Sequence, residues 1–109
     1  MQKLMPKGLA ATVPPLYATD GENDPIARVR LFSLSGWVWL VTEYDAESGE
    51  AFGLVRGFEE EWGYFSIREM EALNRSKGFD VVERDLSFEP VEEGARPGRL
   101  AASAGARAL

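Results

Sequence analysis

Eight residues, Trp37 to Tyr44, set the terms for any fold this chain can adopt. In WVWLVTEY, Val38, Leu40 and Tyr44 alternate with Trp37, Trp39 and Val41. Side chains of a strand point to opposite faces in turn, so both faces of this segment are apolar. A strand of that kind is expected at the centre of a sheet covered on both sides.

The neighbouring segments supply partners for it. Ala27 to Leu34 reads as a first strand, with Val29 and Leu31 on one face and Phe32 and Leu34 on the other. Ser35-Gly36 is a tight turn into the central strand. Asp45 to Glu50 is a loop with a Ser48-Gly49 turn, and Ala51 to Arg56 is a third strand antiparallel to the second. Gly53 and Gly57 interrupt it, and glycine within a strand marks a bulge or a close backbone approach. GFEEEWG then reads as an acidic connection to Tyr64-Phe65.

Ser66-Ile67-Arg68-Glu69 is a capping box, which starts a helix carrying Ile67, Met70 and Leu73 inward. Lys77-Gly78 ends it. Phe79 to Asp85 is a last extended segment, and Leu86 and Phe88 are expected to close over the core. The expected architecture is α+β: a small antiparallel sheet of three to five strands with one main helix packed on one face.

Residues 1–90 form a single α+β domain in this reading. Pro14-Pro15 stiffens an extended N-terminal lead-in, and the folding unit starts near Leu16. Residues 91–109, rich in Ala, Gly and Arg, bury too little apolar surface to offset their ordering entropy and are expected to form a flexible tail. A folding unit of this size is marginal alone, so a partner or a homodimer contact is plausible.

Charge and composition exclude several mechanisms. The chain of 109 residues carries net charge −6, with no histidine and no cysteine. Disulfides, thiolate catalysis and histidine bases are ruled out. An acidic surface repels phosphate, so direct nucleic-acid binding is disfavoured and a partner with a basic surface is favoured, for example a nucleic-acid enzyme. No apolar run approaches a membrane span and no signal-peptide core is present, which points to the cytoplasm and away from the membrane.

The ordered motifs carry a family resemblance. PPLY at Pro14 to Tyr17, WLVTEYD at Trp39 to Asp45, FGLVRGFEEEWGYFS at Phe52 to Ser66 and ERDLSFEP at Glu83 to Pro90 together resemble the bacterial domain of unknown function 2958 family. Members of that family are encoded on plasmids and integrative elements, beside transfer and anti-restriction genes. The resemblance therefore implies a mobile-element protein and assigns no activity. Glu60 and Trp62 depart from the pattern, where proline and leucine are expected.

Between Trp37 and Ser66 lie all three tryptophans and seven carboxylates, against one arginine. Glu43 and Asp45 share a sheet face at a strand end. With Glu59 and Glu61 they could gather as oxygen ligands for a hard cation, or do acid–base work. The plainer reading, preferred here, is a solvated acidic rim, with no metal and no cofactor assigned. Trp37 and Trp39 share a strand face, as a stacking platform or as core, with core preferred for Trp39. Arg28 and Arg30 share a face of the first strand and are expected to pair with rim carboxylates. Gly53, Gly57 and Gly63 fit no phosphate loop.

The leading functional expectation is a small acidic binding or regulatory protein acting by protein–protein contact. Its candidate surface combines Glu43, Asp45, Glu59, Glu60, Glu61, Trp62 and Tyr64, with Tyr17 and Tyr44 as secondary pocket candidates and no catalytic residue assigned. One alternative is a DNA-mimic inhibitor of a host defence nuclease. The other is a carboxylate-dependent hydrolase, which the missing histidine, cysteine and serine motif disfavour.

Overall fold

The computed structural model describes residues 2–23 and 25–90; the expected tail, 91–109, lies outside the described residues. The elements are α1 (Lys7–Ala10), β1 (Val29–Ser33), β2 (Val38–Asp45), β3 (Glu50–Arg56), β4 (Glu60–Ser66), α2 (Ile67–Lys77) and β5 (Val82–Arg84). The strands form one antiparallel sheet in the order β4-β3-β2-β1-β5. With α2 as the one main helix, the fold is α+β. The doubly apolar β2 lies in the middle of the sheet, as its pattern requires.

Each face of the sheet carries its own apolar cluster. One holds Val29, Leu31, Val41, Ala51 and Val82 together with Leu4, Met5, Val13 and Ile67. The other holds Ala27, Leu40, Phe52, Leu54 and Trp62, with Leu16, Tyr64 and Phe88 packed against it. Leu4, Met5 and Val13 are buried core residues, so the folding unit does not begin at Leu16. The N-terminal segment is sparse in large apolar residues, and that sparseness hid its contribution.

Two hydrogen-bond networks stitch the chain's early residues to its later ones. The Gln2 N–H donates to the Asp80 carboxylate, and the Gln2 side chain exchanges hydrogen bonds with the Arg84 backbone. The Leu4 N–H donates to Glu71 Oε2 at 2.9 Å, and the Arg84 guanidinium donates to the Lys3 and Leu4 carbonyls. The buried Asn74 does similar work inside the fold. Its amide donates to the Val82 carbonyl and its oxygen accepts from the Val81 and Val82 N–H groups, fixing α2 to β5.

The capping box is formed: Ser66 Oγ accepts from the Glu69 N–H at 3.1 Å. Along α2 the inward positions are Ile67, Met70 and Asn74, whereas Leu73 is 39% exposed. The expected inward Leu73 is displaced by an asparagine one position on, because β5 presents backbone groups there that only a polar side chain can satisfy. Leu86 is likewise exposed, leaving Phe88 alone of that pair on the core.

The acidic segment is shorter as a loop than expected. Glu60–Ser66 is strand β4, paired residue by residue with β3, and only Gly57 to Glu59 turn the corner. The pairing puts Glu60, Trp62 and Tyr64 on one face and Glu61, Gly63 and Phe65 on the other. Its charged start and two neighbouring carboxylates masked a regular alternation.

Candidate functional site

Thr42 is an extra residue in β2. Val41 pairs with Gly53 and Glu43 with Phe52, so the register slips between them. Such a bulge shifts every following side chain to the opposite face. Thr42 itself is buried, and its hydroxyl donates to the Phe52 carbonyl at 3.0 Å. Strands β2 and β3 approach closely here: a Cβ on Gly53 would lie 1.8 Å from the Leu40 carbonyl oxygen, so only glycine fits.

The bulge turns Glu43 beneath the loop that precedes β1. Its side chain is fully buried, at 0% exposure. Oε1 accepts from the Tyr17 N–H at 2.7 Å, and Oε2 accepts from the Thr19 N–H at 2.8 Å and from the Thr19 hydroxyl. Tyr17 adopts a left-handed backbone, φ 74°, which an L residue with a side chain disfavours. The Glu43 carboxylate holds that conformation in place from below. It is a loop anchor and offers no surface for contact, which removes it from the expected binding face.

The remaining candidates separate as well. Asp45 folds back on its own turn, accepting from the Glu47 N–H at 3.1 Å and the Ser48 hydroxyl at 2.8 Å. The Ser48 hydroxyl first, and then the Glu47 N–H, hold the Asp45 carboxyl below its ordinary range. Asp45 pairs with Glu50, whereas Glu60 pairs with Arg56 at the other end of β3. Six strand residues span about 20 Å, so Asp45 and Glu59–Glu61 are at opposite ends of the sheet. Trp62 is 7% exposed and stacks on Phe52 at 5.9 Å, so it is core. Tyr64 is half-buried between Phe52 and Tyr17. Among the described residues no three carboxylates converge as cation ligands.

The two secondary tyrosines lie on opposite faces. Tyr17 meets Tyr64 on the Phe52 side, with ring centroids 6.3 Å apart. Tyr44 packs against the other cluster, where burial first and the Glu71 carboxylate second push its hydroxyl above the usual range. They do not line one pocket.

The sheet end at Gly57 does bring carboxylates and aromatic surface together. Phe58, at the tip of the β3–β4 turn, is 95% exposed. It meets Trp37 edge to face at 5.6 Å, and Trp37 lies 6.1 Å from Trp39. The Trp37 ring covers Gly57, where an added Cβ would come within 2.5 Å of ring carbons. Glu59, Glu60 and Glu61 are exposed beside this tip, and Glu60 pairs with Arg56 at 2.6 Å. Sequence reasoning raised Trp37, half-buried here, as part of a stacking platform but missed Phe58 as its exposed neighbour. The signal lay in GFE as the three-residue tip between two strands, legible once β4 is recognised as a strand.

Fold and site together define a small acidic α+β domain that displays an aromatic tip flanked by carboxylates. The chain belongs to the family described as protein of unknown function (DUF2958), which matches it over residues 5–106. No curated protein and no solved structure matches it. Among the described residues no helix is long and apolar enough to cross a membrane.

Proposed function

We propose that this is a cytoplasmic binding or regulatory protein of a bacterial mobile element, acting by contact with a basic protein surface through the Phe58 tip. The observation that carries the reading is a phenylalanine left 95% exposed among three exposed glutamates. Leaving a large ring in water is costly, and aromatic residues are enriched where partners dock. The surrounding carboxylates supply steering toward a basic partner. Ile67 and Met70 share a cluster with one sheet face, which supports α2 as the cover of that face and leaves the tip uncovered at its far corner.

A long DNA mimic needs an extended row of charges. The separation of Asp45 from Glu59–Glu61 disfavours it, and the engagement of Glu43 by the Tyr17–Thr19 loop disfavours a hydrolase built on that carboxylate. Benzoylphenylalanine at position 58, cross-linked in the native host, tests the reading. The expected product is one defined adduct with a basic protein, absent when the probe replaces exposed Ser87. Purified partner should then associate more slowly with the triple Glu59→Gln, Glu60→Gln, Glu61→Gln variant, and the wild-type rate should fall steeply with salt. An unchanged, salt-independent rate would reject the acidic tip as the contact surface.

A further inference from the structure

At the β1–β5 edge, on the side of the molecule away from the Phe58 tip, the short β5 leaves a cavity of about 250 Å³. Its walls are Pro6, Leu9, Val29, Leu86 and Phe88, with Arg28, Arg84 and Asp85. The charges there do not cancel. Asp85 already pairs with Arg30 at 3.2 Å and accepts two hydrogen bonds from Ser87. Arg84 is pinned by the Lys3 and Leu4 carbonyls, which carry no net charge to offset it. The Arg28 Nε is buried and has no hydrogen-bond partner among the described residues. The expectation that Arg28 pairs with a rim carboxylate is thus not met there. In a chain of net charge −6, two arginines with no carboxylate partner among the described residues line one cavity.

Guanidinium is the side chain best matched to a ligand oxyanion, and neither Arg28 nor Arg84 has an ion-pair partner among the described residues. Apolar walls with a few convergent polar groups are the general make-up of small-molecule pockets. The volume falls below the range of about 300–1,000 Å³ usual for drug-sized ligands, so a nucleotide is too large. We infer that this cavity binds a small organic anion: a carboxylate or phosphate monoester facing Arg28 and Arg84, on a body no larger than one ring lying against Leu9, Leu86 and Phe88.

Amide NMR titration of the full ¹⁵N-labelled chain with phenyl phosphate, benzoate and neutral benzyl alcohol tests this. The expected result is a saturable shift of the Val29, Leu86 and Phe88 amides with one of the two anions, half-complete at or below about 1 mM, and none with the alcohol. Whether phenyl phosphate or benzoate saturates first distinguishes the two head groups. Arg28→Gln should weaken binding at least tenfold, whereas Arg68→Gln, remote on α2, should not. If Arg28→Gln fails to fold, Leu86→Trp serves instead: position 86 is 75% exposed, so the fold tolerates the ring, which should block the cavity mouth and abolish the shifts. No saturation with either anion by about 20 mM, an equal response to benzyl alcohol, or equal loss in Arg68→Gln would overturn the inference. The cavity would then be one filled by water or by the chain itself.

Discussion

Glu43 and the run Glu59–Glu61 belong to one sheet and to one acidic stretch of sequence, yet they do opposite things. Glu43 is wholly buried and satisfied by the Tyr17 and Thr19 N–H groups and the Thr19 hydroxyl. Glu59 and Glu61 face water at the Phe58 tip. The difference is set by one inserted residue, Thr42, which turns the end of β2 over. Residue type alone does not separate a structural carboxylate from a recognition carboxylate; the donors brought to it by distant loops do.

The contrast can be broken by mutation. Glu43→Ala strands two backbone N–H donors in the interior and should cost about 4 kcal/mol, since bonds to charged acceptors contribute about 1.5–3 kcal/mol each. Glu61→Ala should change stability by less than about 0.5 kcal/mol. Urea unfolding of both variants checks this, and similar midpoints would collapse the distinction. The aromatic residues sharpen it. Trp62→Ala removes a core ring stacked on Phe52 and should cost about 3–4 kcal/mol, whereas Phe58→Ala should be nearly neutral for folding.

A smaller effect is expected at the base of the tip. Gly57→Ala drives a methyl into the Trp37 ring, and such overpacking costs about 1–3 kcal/mol. Because a side chain rather than backbone must move, the change should be at the low end and should be visible as altered tryptophan fluorescence. An unchanged spectrum would mean that Trp37 does not cover Gly57 in solution.

Acid should act most weakly, and on a third set of carboxylates. The folded Asp45 and Asp85 lie below the ordinary Asp value of 3.8, chiefly through the Ser48 and Ser87 hydroxyls. Each therefore adds stability at pH above that value, and the contribution disappears as pH falls through the lowered folded value. Both groups are only half-buried and reached by solvent, so the loss is small. Asp45→Asn and Asp85→Asn should each flatten the decline in melting temperature below about pH 4; a steeper decline would contradict the assigned hydrogen bonds.

Much of the frame was legible in the residues. The doubly apolar Trp37–Tyr44 segment lies centrally, the hairpin through Ser48-Gly49 forms, and Ser66 caps α2 as its spacing requires. Periodicity and capping are local, so local pattern reveals them. The candidate site was less legible because it depends on non-local facts. The Thr42 bulge leaves no compositional trace beyond a neighbouring strand glycine. The burial of Trp62 depends on Phe52 across the sheet, and the exposure of Phe58 depends on Glu60–Ser66 being paired rather than looped.

The bonds from Gln2 and Leu4 to Glu71, Asp80 and Arg84 have a consequence for the order of events as the chain is made. Synthesis delivers Leu4 and Met5 before the sheet, but the groups that receive the Leu4 backbone come from α2 and β5, nearly the last described elements to emerge. The β2–β3 hairpin and the α2 cap need only near neighbours and can form early. Contacts that close so much intervening chain must wait. Until β5 arrives, Leu4 and Met5 stay open to solvent and to any other chain nearby. Nascent copies are thus most exposed to mispairing just before the last strand docks, and the N-terminal segment acts as the latch that ends that interval.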